Sequence, residues 1–350
     1  LIRNVTKSGS IPPDPEVIAN KFGLEDIQPL LGDASSRRYF RGSKEGKSVI
    51  VMLYPDASEE NIADLKAFLD ISDMLAGQGI KVAKSYEVDE FGTCALLEYL
   101  GVESFGACIR DASESPETLY KLATQVLIRM KGINEASSLP DYKQTSIYAN
   151  RRQLIDYYMA YKQGKHSGES CVNEFHKIWD KIEQSLPSCP QSFVHGDYHL
   201  ENLIYAKNEE GMRQCAVIDH QDAFYGPQPY DLVNLLEDAR IDVSQSVRSS
   251  MIRLYTQGMS KEEKETFMVW YTVLAAQFHG RVIGLFIKFA AEQGRDSYLV
   301  HIPRLQVYIN ESLKDPILTP LKEWFDKVKL DFHSITDLDG EHIRAAFRKI

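Results

Sequence analysis

The stretch Phe193–Arg240 constrains what this chain can fold into more than any other. In it His195-Gly196-Asp197 precedes Asn202 with the spacing D-x-x-x-x-N, and Asp219 closes a short apolar run. Leu200 to Ala206 reads as a strand, Lys207 to Arg213 as a polar turn with Gly211, and Cys215 to Ile218 as a second strand. Folded antiparallel about the middle of that turn, the strands put Asn202 opposite Asp219. A carboxylate and an amide oxygen then meet at one end of a hairpin, with Asp197 on the loop leading in. Two hard oxygen ligands that leave room for water and phosphate suit Mg²⁺, which seldom takes a complete protein cage. Asp197 would orient an acceptor hydroxyl and take its proton. Singly these residues are ordinary turn formers. At this spacing the three imply a phosphoryl-transfer site.

Beyond it, Pro227-Gln228-Pro229 breaks the chain and a helix follows, with Leu232, Val233, Leu235, Leu236 and Ala239 on its apolar side. Asp231 sits in its first turn, which fits helix-dipole compensation or capping, and equally a buried carboxylate bracing the loop before it.

The pattern HGD-x-x-x-x-N, then I-D, then Y-D-L resembles the aminoglycoside phosphotransferase/choline kinase superfamily, the small-molecule relatives of protein kinases. It is carried here by His195, Asp197, Asn202, Asp219, Tyr230, Asp231 and Leu232. The resemblance implies Asp197 as catalytic base, Asn202 and Asp219 as Mg²⁺ ligands, and His195 and Asp231 as structural supports. It also implies an α+β, two-lobed, protein-kinase-like fold. Residues 1–100 would form a nucleotide-binding N-lobe of antiparallel sheet plus helix. Residues 101–350 would form a mainly helical C-lobe with the catalytic and acceptor-binding groups.

The N-terminal third has the matching order. Arg37 to Arg41 and Lys47 to Tyr54 read as a hairpin, Glu59 to Ala76 as a helix, and Ala83 to Val88 and Thr93 to Glu98 as two more strands. Glu98, Tyr99 and Leu100 then fall where a kinase hinge pairs with adenine. The turn Gly32-Asp33-Ala34-Ser35-Ser36 lies where a phosphate loop belongs, with Ser35 as a phosphate contact, although it lacks G-x-G-x-x-G. Met52 stands about where kinases carry a lysine. A hairpin symmetric about residues 44 and 45 sets Arg37 opposite Met52, and a one-residue slip sets Arg38 nearer to it. Either arginine could supply the missing cation, or both are solvated strand residues.

From Phe105 onward the pattern is mostly helical, with segments Glu117–Ile133, Asn150–Gln163, Glu174–Leu186, Val247–Gln257, Glu262–Gln293, His301–Leu313 and Pro320–Lys329. Only eleven positions separate Asp219 from Tyr230, too few for the activation loop on which a protein kinase seats a peptide. That favours a small-molecule acceptor. The net charge of −10 over 350 residues argues against nucleic acid as a partner. Five scattered cysteines without a C-x-x-C fit a reduced, cytoplasmic setting. The most apolar run, Phe267 to Phe278, is too short to span a bilayer and reads as a buried helix, so no membrane is expected.

Three blocks narrow the resemblance: Gly32–Gly42, Ile218–Arg240 and Gly284–Ile309. They look like the bacterial cell-wall amino-sugar kinases, which phosphorylate the anomeric hydroxyl of N-acetylmuramate and N-acetylglucosamine. His220 and Ser36 depart from the aromatic residues usual there. ATP and Mg²⁺ are implied as cofactors and a sugar or amino sugar as acceptor. Gln221, Asp222 and Arg281 are the acceptor candidates, with Asp238, Arg240 and His279 on the following helices. Arg281 fits a carboxylate contact or a structural ion pair. An aminoglycoside or amino-alcohol kinase, and a catalytically silent kinase-like binding protein, remain alternatives.

Overall fold

The computed structural model describes residues 15–30, 37–333 and 338–350. The chain divides into two compact units, residues 1–135 with 200–223 and residues 136–199 with 224–350. The first carries an antiparallel sheet and the second is mostly helical, the α+β architecture expected from the sequence.

In the first unit β1 (Glu25–Leu30), β2 (Arg38–Lys44), β3 (Lys47–Leu53), β4 (Ser85–Val88) and β5 (Cys94–Glu98) lie in the order β1-β2-β3-β5-β4. The period of two along β3 explains how the sheet is covered on both faces. Val49 and Val51, with Phe40, Cys94 and Leu96, pack on Ile18 and Phe22 of helix α1 (Pro15–Phe22). Met52, with Ala95 and Leu97, packs on Leu65 and Phe68 of helix α2 (Glu59–Gly77). Ser58 caps α2, its hydroxyl accepting the Asn61 N–H at 3.4 Å.

The β2–β3 register corrects one expectation. Glu45 and Gly46 both have positive φ (52° and 73°) and form a two-residue loop whose twist matches the strands. The loop closes on the pair Lys44 and Lys47, so Tyr39 rather than Arg37 faces Met52, and Arg38 faces Leu53. Met52 has no exposed surface. At that depth an ammonium would be desolvated, whereas burying the methionine side chain contributes about 1.5–3 kcal/mol.

The hairpin that follows the D-x-x-x-x-N motif is a pair of three-residue strands, Leu203–Tyr205 and Cys215–Val217, with Leu203 opposite Val217. A 3₁₀ turn, Leu200–Asn202, replaces the start of the expected strand. The Ile218 N–H donates to the Asn202 carbonyl at 3.1 Å. Ile218, not Asp219, therefore stands opposite Asn202. Asp219 comes one position later with φ 60°, where the chain leaves the ladder.

In the second unit the strands Gln191–Val194 and Phe224–Pro227 pair antiparallel. Its longest helix, Lys261–Gln293, begins with a reciprocal cap: Ser260 Oγ accepts the Glu263 N–H, and the Glu263 carboxylate accepts the Ser260 N–H. Among the described residues it is the one helix long and apolar enough to cross a membrane, yet 78% of that window is buried within the protein. The segment expected as a helix at 150–163 is helical throughout but changes type, from a 3₁₀ turn Asn150–Arg152 to a π-helical stretch Leu154–Met159 and an α-helical turn Ala160–Gln163. Gly284 lies against it: a Cβ there would come within 2.2 Å of the Gln153 carbonyl oxygen. Gly284→Ala should therefore destabilise the fold by about 1–3 kcal/mol or more, read as a lower denaturation midpoint. An unchanged midpoint would contradict this packing.

Candidate active site

Asp197 is the one exposed residue in the buried run 192–200. Its side chain is 62% exposed, while the backbone beneath it is held on every side. The His195 and Gly196 N–H groups donate to Asp231 Oδ2 and Oδ1 at 2.6 and 2.9 Å. Asn234, one helical turn after Asp231, donates from Nδ2 to the Gly196 carbonyl at 3.0 Å. His195 Nδ1 accepts the Asp197 N–H at 3.3 Å. Both carboxylate and amide come from the helix Tyr230–Leu236, every residue of which is buried.

Asp231 is thus a brace on the loop backbone, which an exposed dipole-compensating residue would not be. Burial pushes its pKa up to about 6, opposed by the His195 charge and the two backbone hydrogen bonds. Arg281 lies on the same part of this unit, its Nη2 3.3 Å from the Tyr230 hydroxyl. His279 is fully buried, with Nε2 3.3 Å from Glu237 Oε2. Asp238 is buried too, and its Oδ1 accepts from the Arg240 guanidinium at 3.2 Å.

Sequence reasoning missed His199. Its Nε2 is 3.3 Å from Asp197 Oδ2, and its N–H donates to the Asp197 carbonyl at 3.1 Å. Desolvation works against ionisation of both side chains. For Asp197 the His199, Arg240 and His195 charges outweigh it and hold the carboxyl well below its usual range. For His199 the Asp197 charge outweighs it and raises the imidazole. The signal was available in the sequence as a second histidine two positions after Asp197, but a lone histidine has no distinctive spacing.

The other motif residues belong to the first unit. Asp219 Oδ1 accepts from Arg37 Nη2 at 3.1 Å and from Gln221 Nε2 at 3.2 Å, and Gln221 Nε2 also donates to Asp222 Oδ2 at 3.0 Å. Arg37, Gln221 and Asp222 therefore gather on Asp219. Arg38 makes no ion pair among the described residues. Desolvation raises the Asp222 carboxyl, and the Asp64 and Asp219 charges add to it.

His220 ties this segment to α2. It stacks on Phe68 at 4.8 Å, and its Nε2 is 2.8 Å from Ser72 Oγ. Because the Ser72 hydroxyl donates to the Phe68 carbonyl at 2.8 Å, His220 Nε2 must carry the proton that Ser72 Oγ accepts.

Glu98, Tyr99 and Leu100 are tied to neighbouring strands and to the hairpin 203–217. The Glu98 N–H donates to the Lys84 carbonyl at 2.8 Å, and its carboxylate accepts from Lys81 Nζ at 2.7 Å. Lys81 in turn reaches Glu209 in the hairpin turn at 3.3 Å. The Arg41 guanidinium lies 4.5 Å over the Tyr99 ring, and Leu100 packs on Ile204, Ala206 and Ala216. Ser35, with the turn 32–36, lies outside the described residues.

Asn202 and Asp219 offer an amide and a carboxylate oxygen from adjoining strand ends, both hard donors. Among the described residues no three His, Cys, Asp or Glu side chains converge as a cage. That donor set fits an ion that completes its shell with water and phosphate oxygens.

Comparison with known proteins gives the family and the fold. Residues 26–264 match a family described as phosphotransferase enzymes (APH). The chain is 27% identical over 341 residues to the N-acetylmuramate/N-acetylglucosamine kinase of Caulobacter vibrioides, covering 88% of this chain and 93% of that one. It is 27% identical over 305 residues to the protein of the same name in Pseudomonas aeruginosa, covering 85% and 87%. Among solved structures, a choline kinase from Streptococcus pneumoniae superposes with a TM-score of 0.56 at 14% identity, covering 86% of this chain and 99% of that one. An aminoglycoside phosphotransferase superposes at 0.54 with 13% identity, covering 84% and 97%. These superpositions establish a shared fold.

The His199–Asp197 pair has a direct test. The His199 ring protons, followed by NMR across pH, should titrate above the ordinary histidine value, and Asp197→Asn should lower that midpoint. The same midpoint in both proteins would show that the two side chains are not coupled.

Proposed function

The chain belongs to the phosphotransferase enzyme family, and from that premise we propose that it is an ATP-dependent small-molecule kinase. Its acceptor is the anomeric hydroxyl of a cell-wall amino sugar, N-acetylmuramate or N-acetylglucosamine. The observation that carries the reading is Asp197: an exposed carboxylate on a backbone fixed by Asp231, Asn234 and His195. The names of the relatives support the amino-sugar acceptor. Residues 1–100 would bind the nucleotide, with Glu98, Tyr99 and Leu100 at the adenine and Ser35 and Arg37 at the phosphates. Residues 101–350 would supply catalysis and acceptor binding. An ATP-using enzyme with a diffusible sugar acceptor belongs in the cytoplasm.

Asn202 and Asp219 would hold Mg²⁺, which supplies neutralisation of phosphate charge when bound. Asp197 accepts a hydrogen bond from the acceptor hydroxyl and aligns its oxygen for in-line attack. Held well below the usual carboxylate range, it is a weak base that orients the hydroxyl and takes its proton late, as the bond to phosphorus forms. Arg37 supplies the cation that kinases take from the lysine replaced here by Met52. Gln221, Asp222 and Arg281 contribute acceptor contacts.

The reading is tested by Mg²⁺-dependent ADP release with free amino sugars and aminoglycosides as acceptors. Stimulation by an amino sugar is expected, and Asp197→Asn should lower kcat by about 10²–10⁴. Stimulation by aminoglycosides alone would move the acceptor class. No stimulation and no nucleotide binding would leave a binding protein on a kinase scaffold.

The pH profile gives a second test. The ionised Asp231 carboxylate accepts two backbone N–H groups, so protonation between pH 7 and 5 should loosen the loop and lower kcat, with a midpoint near 6. Its folded-state pKa lies above the unfolded value. Between about pH 4 and 6 the folded state therefore binds the extra proton, and this group does not promote unfolding as pH falls. Activity should decline there while circular dichroism stays constant. A flat kcat through this range would remove the role given to Asp231.

A further inference from the structure

A guanidinium bonded to a metal-binding carboxylate has two opposite effects on the ligands that follow. Arg37 Nη2 is 3.1 Å from Asp219 Oδ1, with the arginine side chain 10% exposed and the aspartate 41%. Gln221 Nε2 shares that oxygen. The Asp64 and Asp219 charges both favour the charged Arg37 guanidinium, and both raise the Asp222 carboxyl, which Arg37 opposes. The Tyr54 hydroxyl fixes Asp64 at 3.0 Å. Arg37 is thus held against Asp219 by its surroundings.

A divalent ion arriving alone at Asp219 meets a carboxylate already neutralised in part and a positive charge beside it. A polyphosphate changes the balance. A guanidinium is a planar fork of five donors, able to keep one edge on a carboxylate and offer another to a phosphate oxygen. The phosphate charge then shields the metal from Arg37.

We propose that Arg37 couples metal to nucleotide: it weakens binding of the divalent ion alone, strengthens binding of the metal–nucleotide pair, and so makes the ion enter with its nucleotide. The inference rests on the kinase reading above, with Asp219 as a metal ligand. By linkage, whatever Arg37 adds to metal affinity through the nucleotide it adds equally to nucleotide affinity through the metal.

The experiment measures Mn²⁺ binding to the full chain by electron paramagnetic resonance, with and without ADP, for wild type, Arg37→Gln and Arg37→Lys. With the Asp219 side chain 41% exposed, the pair is partly screened. Removing its charge should therefore tighten binding of Mn²⁺ alone by only about two- to fivefold. The same substitution should weaken Mn²⁺ binding in the presence of ADP by about tenfold. Arg37→Lys, which keeps the charge, should bind Mn²⁺ alone as weakly as wild type. Misfolding cannot produce the gain in affinity. Unchanged or weaker binding of Mn²⁺ alone to Arg37→Gln would overturn the coupling while leaving the kinase reading intact. If wild type binds neither Mn²⁺ nor ADP, or Asp219→Asn binds Mn²⁺ like wild type, the site reading falls and the coupling with it.

Discussion

Two hydrogen bonds from the His195 and Gly196 N–H groups to the Asp231 carboxylate are the interaction on which the loop carrying Asp197 depends. An ionised carboxylate is costly to bury, and this one is 4% exposed. The cost is offset in part where both oxygens accept backbone donors, because hydrogen bonds to a charged group are roughly twice as strong as neutral ones. A helix whose every residue is buried delivers Asp231, and Asn234 from the same helix takes the Gly196 carbonyl. The loop has little freedom left. Asp197 can then be exposed without being mobile, which is what an orienting group requires.

The same economy of means holds in the first unit. Asp219 has a left-handed backbone at the end of its strand, an unfavoured conformation for a residue with a side chain. The next residue, His220, anchors it by stacking on Phe68 and donating to Ser72. Gln221 and Arg37 fix the Asp219 side chain. Met52 is fully buried between the sheet and α2, packed on Leu65 and Phe68. Arg37, just ahead of β2, reaches Asp219 across 182 positions of sequence.

What the sequence disclosed was local. The D-x-x-x-x-N spacing, the strand pair after it, the α2 helix and the long helix to Gln293 follow from periodicity and turn residues within a few positions of one another. The misses came where a longer-range or stereochemical fact decided the outcome. Positive φ at Glu45 and Gly46 set the β2–β3 register, and hydrophobic pattern alone did not locate the loop within Gly42–Gly46. Whether Asp231 capped a helix or braced a loop depended on burial of its whole helix. The Arg37–Asp219 and His199–Asp197 pairs left no periodic trace.

The central proposal is that the γ-phosphoryl group of ATP passes to the anomeric hydroxyl of an amino sugar aligned by Asp197. The most direct measurement is NMR of the product formed from ATP, Mg²⁺ and N-acetylglucosamine labelled with ¹³C at the anomeric carbon. The account predicts that the anomeric ¹³C resonance becomes split by ³¹P as ADP accumulates. ADP accumulating without that splitting would contradict it.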